Sequence, residues 1–108
     1  MTEESILVQA DKLVSGERQW SYDHPYDNCT RIGQIWGVIL NEGIPIPPEH
    51  VALCLAGLKI AREVHRHTDD NLIDLAGYAK VCHMVHTKKE LLEKVHGKEE
   101  NSEGDLEG

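Results

Sequence analysis

The chain has no phenylalanine and only two Trp and three Tyr, so any core must be built mainly from aliphatic side chains. No apolar run approaches the roughly 18 residues of a membrane span, and the start, MTEES, is acidic where a secretory signal would be basic. The three cysteines, Cys29, Cys54 and Cys82, lie far apart and form no CxxC pair. That argues against a zinc or redox motif and points to buried, reduced thiols in a cytoplasmic protein. Positive charge is scarce. Eleven Lys and Arg face nineteen Asp and Glu, a net charge of −8, which excludes nonspecific binding to nucleic acid or an anionic membrane. There is no Gly-x-Ser-x-Gly elbow, no phosphate-binding Walker loop and no Cys–His pair, which removes the common nucleophilic and P-loop enzymes. Strand-period alternation and internal repeats are also missing.

What is present suits one small domain. Half of the net charge is local. Glu99, Glu100, Glu103, Asp105 and Glu107 oppose only Lys98, so residues 98–108 are expected to form a disordered acidic tail. The body, residues 1–97, is closer to neutral and can host a basic pocket.

Apolar residues at spacings of three and four predict helices. The first is expected from Thr2 to Val14, capped by Thr2, with Ile6, Leu7, Ala10, Leu13 and Val14 on one stripe. Gly16 should stop it. A second is expected over Tyr26 to Leu40, with Cys29, Ile32, Ile35, Trp36 and Ile39 inward and Pro25 suited to its first position. After the rigid NEGIPIPPE link, Pro48 and Glu49 open a third, with Val51, Ala52, Cys54, Leu55, Leu58 and Ala61 inward and Ala56 and Gly57 allowing close approach. A fourth starts near Thr68 to Asp70, capped by Asp69 or Asp70, and is expected to end at Gly97. The fold class read from this is all-α, an antiparallel bundle of about four helices. The wide apolar stripes of the third and fourth helices exceed what a small bundle readily buries, so a homodimer or higher homo-oligomer is expected.

Two stretches carry binding-type side chains. GERQWSYDHP holds Arg18, Trp20, Tyr22, Asp23 and His24 in a loop that Pro25 closes, and Asn28 and Arg31 follow on the next helix. The second stretch brings Lys59 and Arg62 to one helix face and Asp70, Asn71, Asp74 and Tyr78 to the next. Facing across a hairpin, these groups could hold a phosphorylated ligand, with or without a metal. The plainer structural reading is that Lys59 and Arg62 pair with local acids, that Asp74 makes a salt bridge to one of them, and that His24 fixes its loop. His65 with His67, and His83 with His86, lack the four-ligand pattern of a structural zinc site, so no metal is expected there.

Arg18, Tyr22, His24, Pro25, Asn28, Arg31 and Trp36 together resemble the signature of a family of small, mostly phage-encoded helical proteins. Lys59-x-x-Arg62 and Asp70-Asn71-x-x-Asp74-x-x-x-Tyr78 resemble that family's second motif. The likeness covers about residues 3–85, and it implies a protein of the host cytoplasm whose function is not settled. A more distant similarity is to the all-α nucleoside triphosphate pyrophosphatases of the MazG type. Those hold magnesium on clustered carboxylates, whereas here Lys59 and Arg62 stand where the first acids would be. Cations in place of metal ligands would contact phosphate directly. The reading is therefore a protein that binds a nucleotide-like, phosphorylated ligand without turnover and without a cofactor. Such a protein could sequester a host nucleotide signal, a cyclic nucleotide or an ADP-ribose derivative. Its ligand set would be Arg18, Tyr22, His24, Asn28, Arg31, Lys59, Arg62, Asp70, Asn71, Asp74 and Tyr78. The alternatives are a divergent Mg²⁺-dependent pyrophosphatase using Asp70, Asp74 and Glu63, and a structural or protein-binding module. The Arg18–His24 loop is expected to pack near the start of the fourth helix.

Overall fold

A computed structural model describes residues 4–15 and 24–107, with side-chain surroundings through residue 96. Four helices and no strands make up the described residues: α1 (Ile6–Ser15), α2 (Pro25–Leu40), α3 (Pro48–His65) and α4 (Asp69–Glu107). The all-helical class is thus as the apolar periodicity predicts.

The helix starts show how local chemistry sets the boundaries. Ser5 serves the start of α1, its Oγ accepting from the Val8 N–H at 3.1 Å, while Thr2 lies outside the described residues. Pro25 and Pro48 take first-turn positions in α2 and α3, where a missing N–H costs nothing. Thr68 caps α4 through a 3.1 Å bond from the Asn71 N–H. This displaces the expected Asp69 or Asp70 cap, because the hydroxyl sits one residue earlier and reaches the same donor. α4 does not stop at Gly97. One glycine lowers helix stability by only about 1 kcal/mol, and a helix already nucleated can run through it.

The link between α2 and α3 is decided by two glycines that periodicity does not single out. Residues 44–46 double back along α2, and the Ile46 N–H bonds the Gly33 carbonyl at 3.0 Å. A Cβ at Gly33 would collide with the Ile46 carbonyl oxygen, and one at Gly37 would meet the Ile44 carbonyl oxygen and lie 2.8 Å from the Pro45 Cα. Gly33 and Gly37 are one helical turn apart, so together they form the groove that the returning segment occupies. The reversal itself uses left-handed backbone at Glu42 (φ 55°) and Gly43 (φ 89°).

α4 is the element on which the others pack. α3 and α4 form an antiparallel hairpin across Arg66–Thr68. α1 lies against α4 in the same direction, since Glu4 and Gln9 share a cavity with Asp69, Asp70 and Ile73, whereas Val14 sits by Gly77 and Ser15 binds Lys80. This departs from the expected antiparallel bundle. The reason is connectivity: the short Arg66–Thr68 turn forces α3 and α4 antiparallel, whereas the nine residues between α1 and α2 are enough to let α1 run either way.

The core is small. Cys29 of α2, Val51 of α3 and Val85 of α4 form its centre, with Tyr26, Ile32, Trp36, Ile46, Leu55 and Val81 packed partly against it. Ala10, Val14, Ala52 and Ile73 are also buried. Several expected core positions are instead exposed, among them Leu7, Leu13, Ile35, Ile39, Leu58 and Ala61. Cys54 is exposed too, against the expectation of a buried thiol, while Cys29 is buried and Cys82 half-buried. Four helices of these lengths cannot surround one another, because α4 extends far beyond its partners. The molecule measures 63 × 35 × 22 Å, close to the roughly 58 Å that a helix of 39 residues spans.

Candidate functional site

At the α3–α4 hairpin, Lys59 reaches across to Asp74, with Nζ 2.9 Å from Oδ2. The Lys59 side chain is 13% exposed and that of Asp74 36%. The pair is therefore partly desolvated, and the ammonium already has its carboxylate. Arg62, one turn further along, is exposed, and its guanidinium makes no hydrogen bond or ion pair within the described residues. Tyr78 lies one turn beyond Asp74 on α4 and is half-buried.

The turn after α3 consumes more of the expected ligand set. Glu63 Oε1 accepts from the Thr68 N–H at 3.1 Å and from the Asn71 side-chain amide at 3.3 Å. The same Asn71 amide also donates to the Arg66 carbonyl at 3.1 Å. His67 sits between Glu63 (2.5 Å) and Asp69 (3.5 Å), one ring nitrogen toward each. The hydrogen bond to Glu63 raises the His67 pKa above its ordinary value. The same bond lowers that of Glu63, aided by Thr68 and Asn71 against a desolvation penalty. Asn71 and Glu63 thus have structural partners that tie the hairpin closed. Asp70 is turned elsewhere, into a cavity of about 540 Å³ shared with Glu4, Gln9, Asp69 and Ile73. That lining of three carboxylates repels phosphate.

A second cavity, about 340 Å³, lies where the start of α2 meets α4. His24, His83, Met84, Thr87, Lys88 and Leu91 line it, and none of them is an acid. His24 is the N-cap of α2, and its Nδ1 accepts from the Tyr26 N–H at 3.0 Å. In the neutral ring the proton must then sit on Nε2, making that atom a donor. Lys88 makes no hydrogen bond or ion pair within the described residues. The Asp27 and Asn28 N–H groups both turn back to the His24 carbonyl, so the helix end contributes its dipole rather than free donors. Met84 and Leu91 supply an apolar wall. The chemistry is that of a site for an anion joined to an apolar or aromatic body.

The described residues of the two sequence motifs therefore do not share one pocket. His24 faces residues 83–91 of α4, and His83 is nine residues beyond Asp74, about 14 Å along the helix. His24, the described end of the Arg18–His24 loop, lies beside the middle of α4, because α2 packs against Val81 and Val85. Asn28 and Arg31 are exposed on α2. Arg18 and Tyr22, with Trp20 and Asp23, fall outside the described residues. His83 and Lys88 were legible only as a His pair and a charged run.

One further polar contact escaped sequence reading. Glu49, in the first turn of α3, is buried, and its Oε1 accepts from Lys89 Nζ at 2.8 Å. Burial pushes its carboxyl up, but the bonds from Lys89 and its own N–H, with the charges of Lys89 and His86, more than offset this and leave it lowered. The other carboxylate oxygen, Oε2, is buried without a hydrogen-bond partner. Burial raises the Cys29 and Cys82 thiols, which disfavours the reactive thiolate.

No group of three or more His, Cys, Asp or Glu side chains is placed to hold a metal among the described residues, and no helix among them is long and apolar enough to cross a membrane.

Comparison with known proteins gives a family but no activity. A family model described as a domain of unknown function (DUF6378) matches residues 5–86. The Gene 55 protein of Mycobacterium phage L5 is 37% identical over 78 residues, 71% of this chain and 49% of its own length. The Gene 55 protein of Mycobacterium phage D29 is 38% identical over 80 residues, 70% of this chain and 50% of its own length. The chain thus spans about half the length of these curated relatives. No solved structure matches it.

Proposed function

We propose that this chain, which belongs to the DUF6378 family, a domain of unknown function, binds a small phosphorylated, nucleotide-like ligand and does not turn it over. The observation that carries the reading is the carboxylate-free cavity at the start of α2, where His24, His83 and Lys88 meet an apolar wall of Met84 and Leu91. At about 340 Å³ it lies at the lower end of small-molecule sites, which run to roughly 300–1,000 Å³. A phosphate would contact Lys88 and the His24 Nε2–H, and a base would lie on Met84 and Leu91. Arg18 and Tyr22 stand six and two residues before His24 in the chain and are the next candidates for contact.

Binding without hydrolysis is favoured because the carboxylates a pyrophosphatase would use are scattered. Asp74 is neutralised by Lys59, Glu63 fastens the turn, and Asp70 faces a different cavity. Two magnesium ions need several converging oxygen ligands. On this proposal, a distant kinship to MazG-type enzymes has left the helical scaffold without its chemistry. Sequestration of a host nucleotide signal, a cyclic nucleotide or an ADP-ribose derivative, is the biological form of the proposal, motivated by the phage relatives.

The test is incubation with a nucleotide panel, with and without Mg²⁺, followed by analysis of the ligand before and after the protein is denatured. Intact ligand released only on denaturation is the expected result. A metal-dependent product would establish the enzyme instead, and no binding across the panel would leave a structural module. Lys88→Ala should weaken binding by about 1.5–3 kcal/mol, the range for charged hydrogen bonds. Loss with Arg62→Ala and none with Lys88→Ala would move the phosphate to the hairpin.

A further inference from the structure

The outward face of α3 is apolar along nearly its whole length. Leu53, Cys54, Gly57, Leu58, Ile60 and Val64 are all exposed, with Leu53 at 56%, Ile60 at 51% and Val64 at 83%. They recur at spacings of three and four, so they share one side of the helix. The charged residues of the same span, Lys59, Arg62 and Glu63, fall on the opposite arc. From His50 to His65 the outward arc carries no charged side chain, which is unlike a solvated helix.

We infer that this face is the interface of a homodimer, in which α3 of one copy crosses α3 of a second copy in antiparallel sense about Gly57. The inference goes beyond the ligand proposal and does not depend on it.

Three observations select a second copy as the occupant. The first is the size of the core. Among the described residues, Val51 and Val85 are the large side chains with essentially no exposure, little to hold a chain of this length folded alone. Whatever covers α3 must be present whenever the chain is folded, and an identical copy is the one partner made at the same place and concentration.

The second is self-complementarity. In a two-fold crossing about Gly57, the residue four places before it faces the residue four places after it. Leu53 then meets Ala61, Cys54 meets Ile60, and Val64 meets His50. The first two contacts set a large side chain against a smaller one, as packing into grooves requires. A Cβ at Gly57 would meet nothing within 4 Å in the single chain, so a close crossing has room.

The third is area. Half the lateral surface of an 18-residue helix, about 27 Å long and 10–12 Å across, is roughly 450 Å². Two copies would bury about 900 Å² through α3 alone, near the roughly 1,000 Å² of a specific interface. The net charge of −8 disfavours an anionic membrane as occupant.

Sedimentation equilibrium of the full chain should give twice its 12.2 kDa. Ile60→Glu should abolish the dimer, while Leu7→Glu, a like change at an exposed site on α1, should leave it intact. Because Ile60→Glu could unfold the chain, Cys54 gives a second readout in the wild-type protein. It is the exposed cysteine, while Cys29 is buried and Cys82 half-buried. Its labelling by a thiol reagent should slow by about tenfold or more as concentration rises through the dimerisation range. A wild-type monomer at all concentrations overturns the inference. So does a dimer that Ile60→Glu leaves intact, or one in which Cys54 labels at an unchanged rate.

Discussion

Gly33 shows how much one absent Cβ can carry. The Ile46 carbonyl oxygen occupies the place where a side chain would start, and that oxygen belongs to backbone that cannot rotate away. Gly33→Ala should therefore cost about 1–3 kcal/mol, the usual range for overpacking. Urea denaturation measures it, and Gly77→Ala, whose Cβ would meet Val14 at an ordinary 3.5 Å, provides the contrast. His67 makes a different prediction. Its pKa is raised by the Glu63 hydrogen bond, so its contribution is fully present below the ordinary histidine value of about 6.5 and is lost as pH rises through the folded value. Glu63 is lowered, so its contribution is present above the ordinary carboxyl value of 4.5 and is lost on acidification through the folded value. The turn is best tied between those limits. An NMR titration should find His67 above its usual range, and Glu63→Gln should bring it back toward 6.5. An unchanged His67 would show that the bond does not form in solution.

Among the elements, the α3–α4 hairpin is closed at both ends by charge. Lys59 with Asp74, and Glu63 with the Thr68–Asn71 turn, secure the tip, while Glu49 with Lys89 secures the far end. The far end is the more vulnerable, because Glu49 is buried and has one oxygen already unpartnered. Lys89→Met should destabilise the chain by about 1–3 kcal/mol, short of a fully buried pair because Lys89 stays partly exposed. The direction with pH follows from the lowered Glu49 pKa. Its stabilisation is complete above the unfolded carboxyl value and is lost as pH falls through the folded one. Thermal melts from pH 7 down to pH 3 should show Lys89→Met converging on the wild type. A gap that stays constant would assign the loss to packing of the lysine stem.

The whole molecule is a long helix with shorter ones laid along part of it. The acidic stretch 98–108 has one large apolar residue, Leu106, and five acids. Removing everything after Gly97 should keep both the melting temperature and the ligand binding. A fall of many degrees would show that this stretch docks. Because folding and association are coupled when the monomer core is small, the melting temperature should also rise with protein concentration.

Helix number and class were written in the sequence, since the spacing of Val, Ile, Leu and Ala is a local property that survives in any all-helical packing. Pro25 and Pro48 marked two helix starts for the same reason. The plain structural reading of Asp74 as a salt-bridge partner was legible too, because Lys59 and Asp74 face each other in any closed hairpin of these helices. Tertiary structure alone decided the rest. Periodicity names an apolar face but not its neighbour, so Cys54, Leu58 and Ala61 read as core and stand exposed. The role of Gly33 and Gly37 depends on a segment seven to thirteen residues away folding back. The pocket at His24 exists only because α2 lies against Val81 and Val85, which sets its N-terminus beside His83 and Lys88. Contacts between distant residues follow from which surfaces bury each other, and spacing along one chain does not encode that choice.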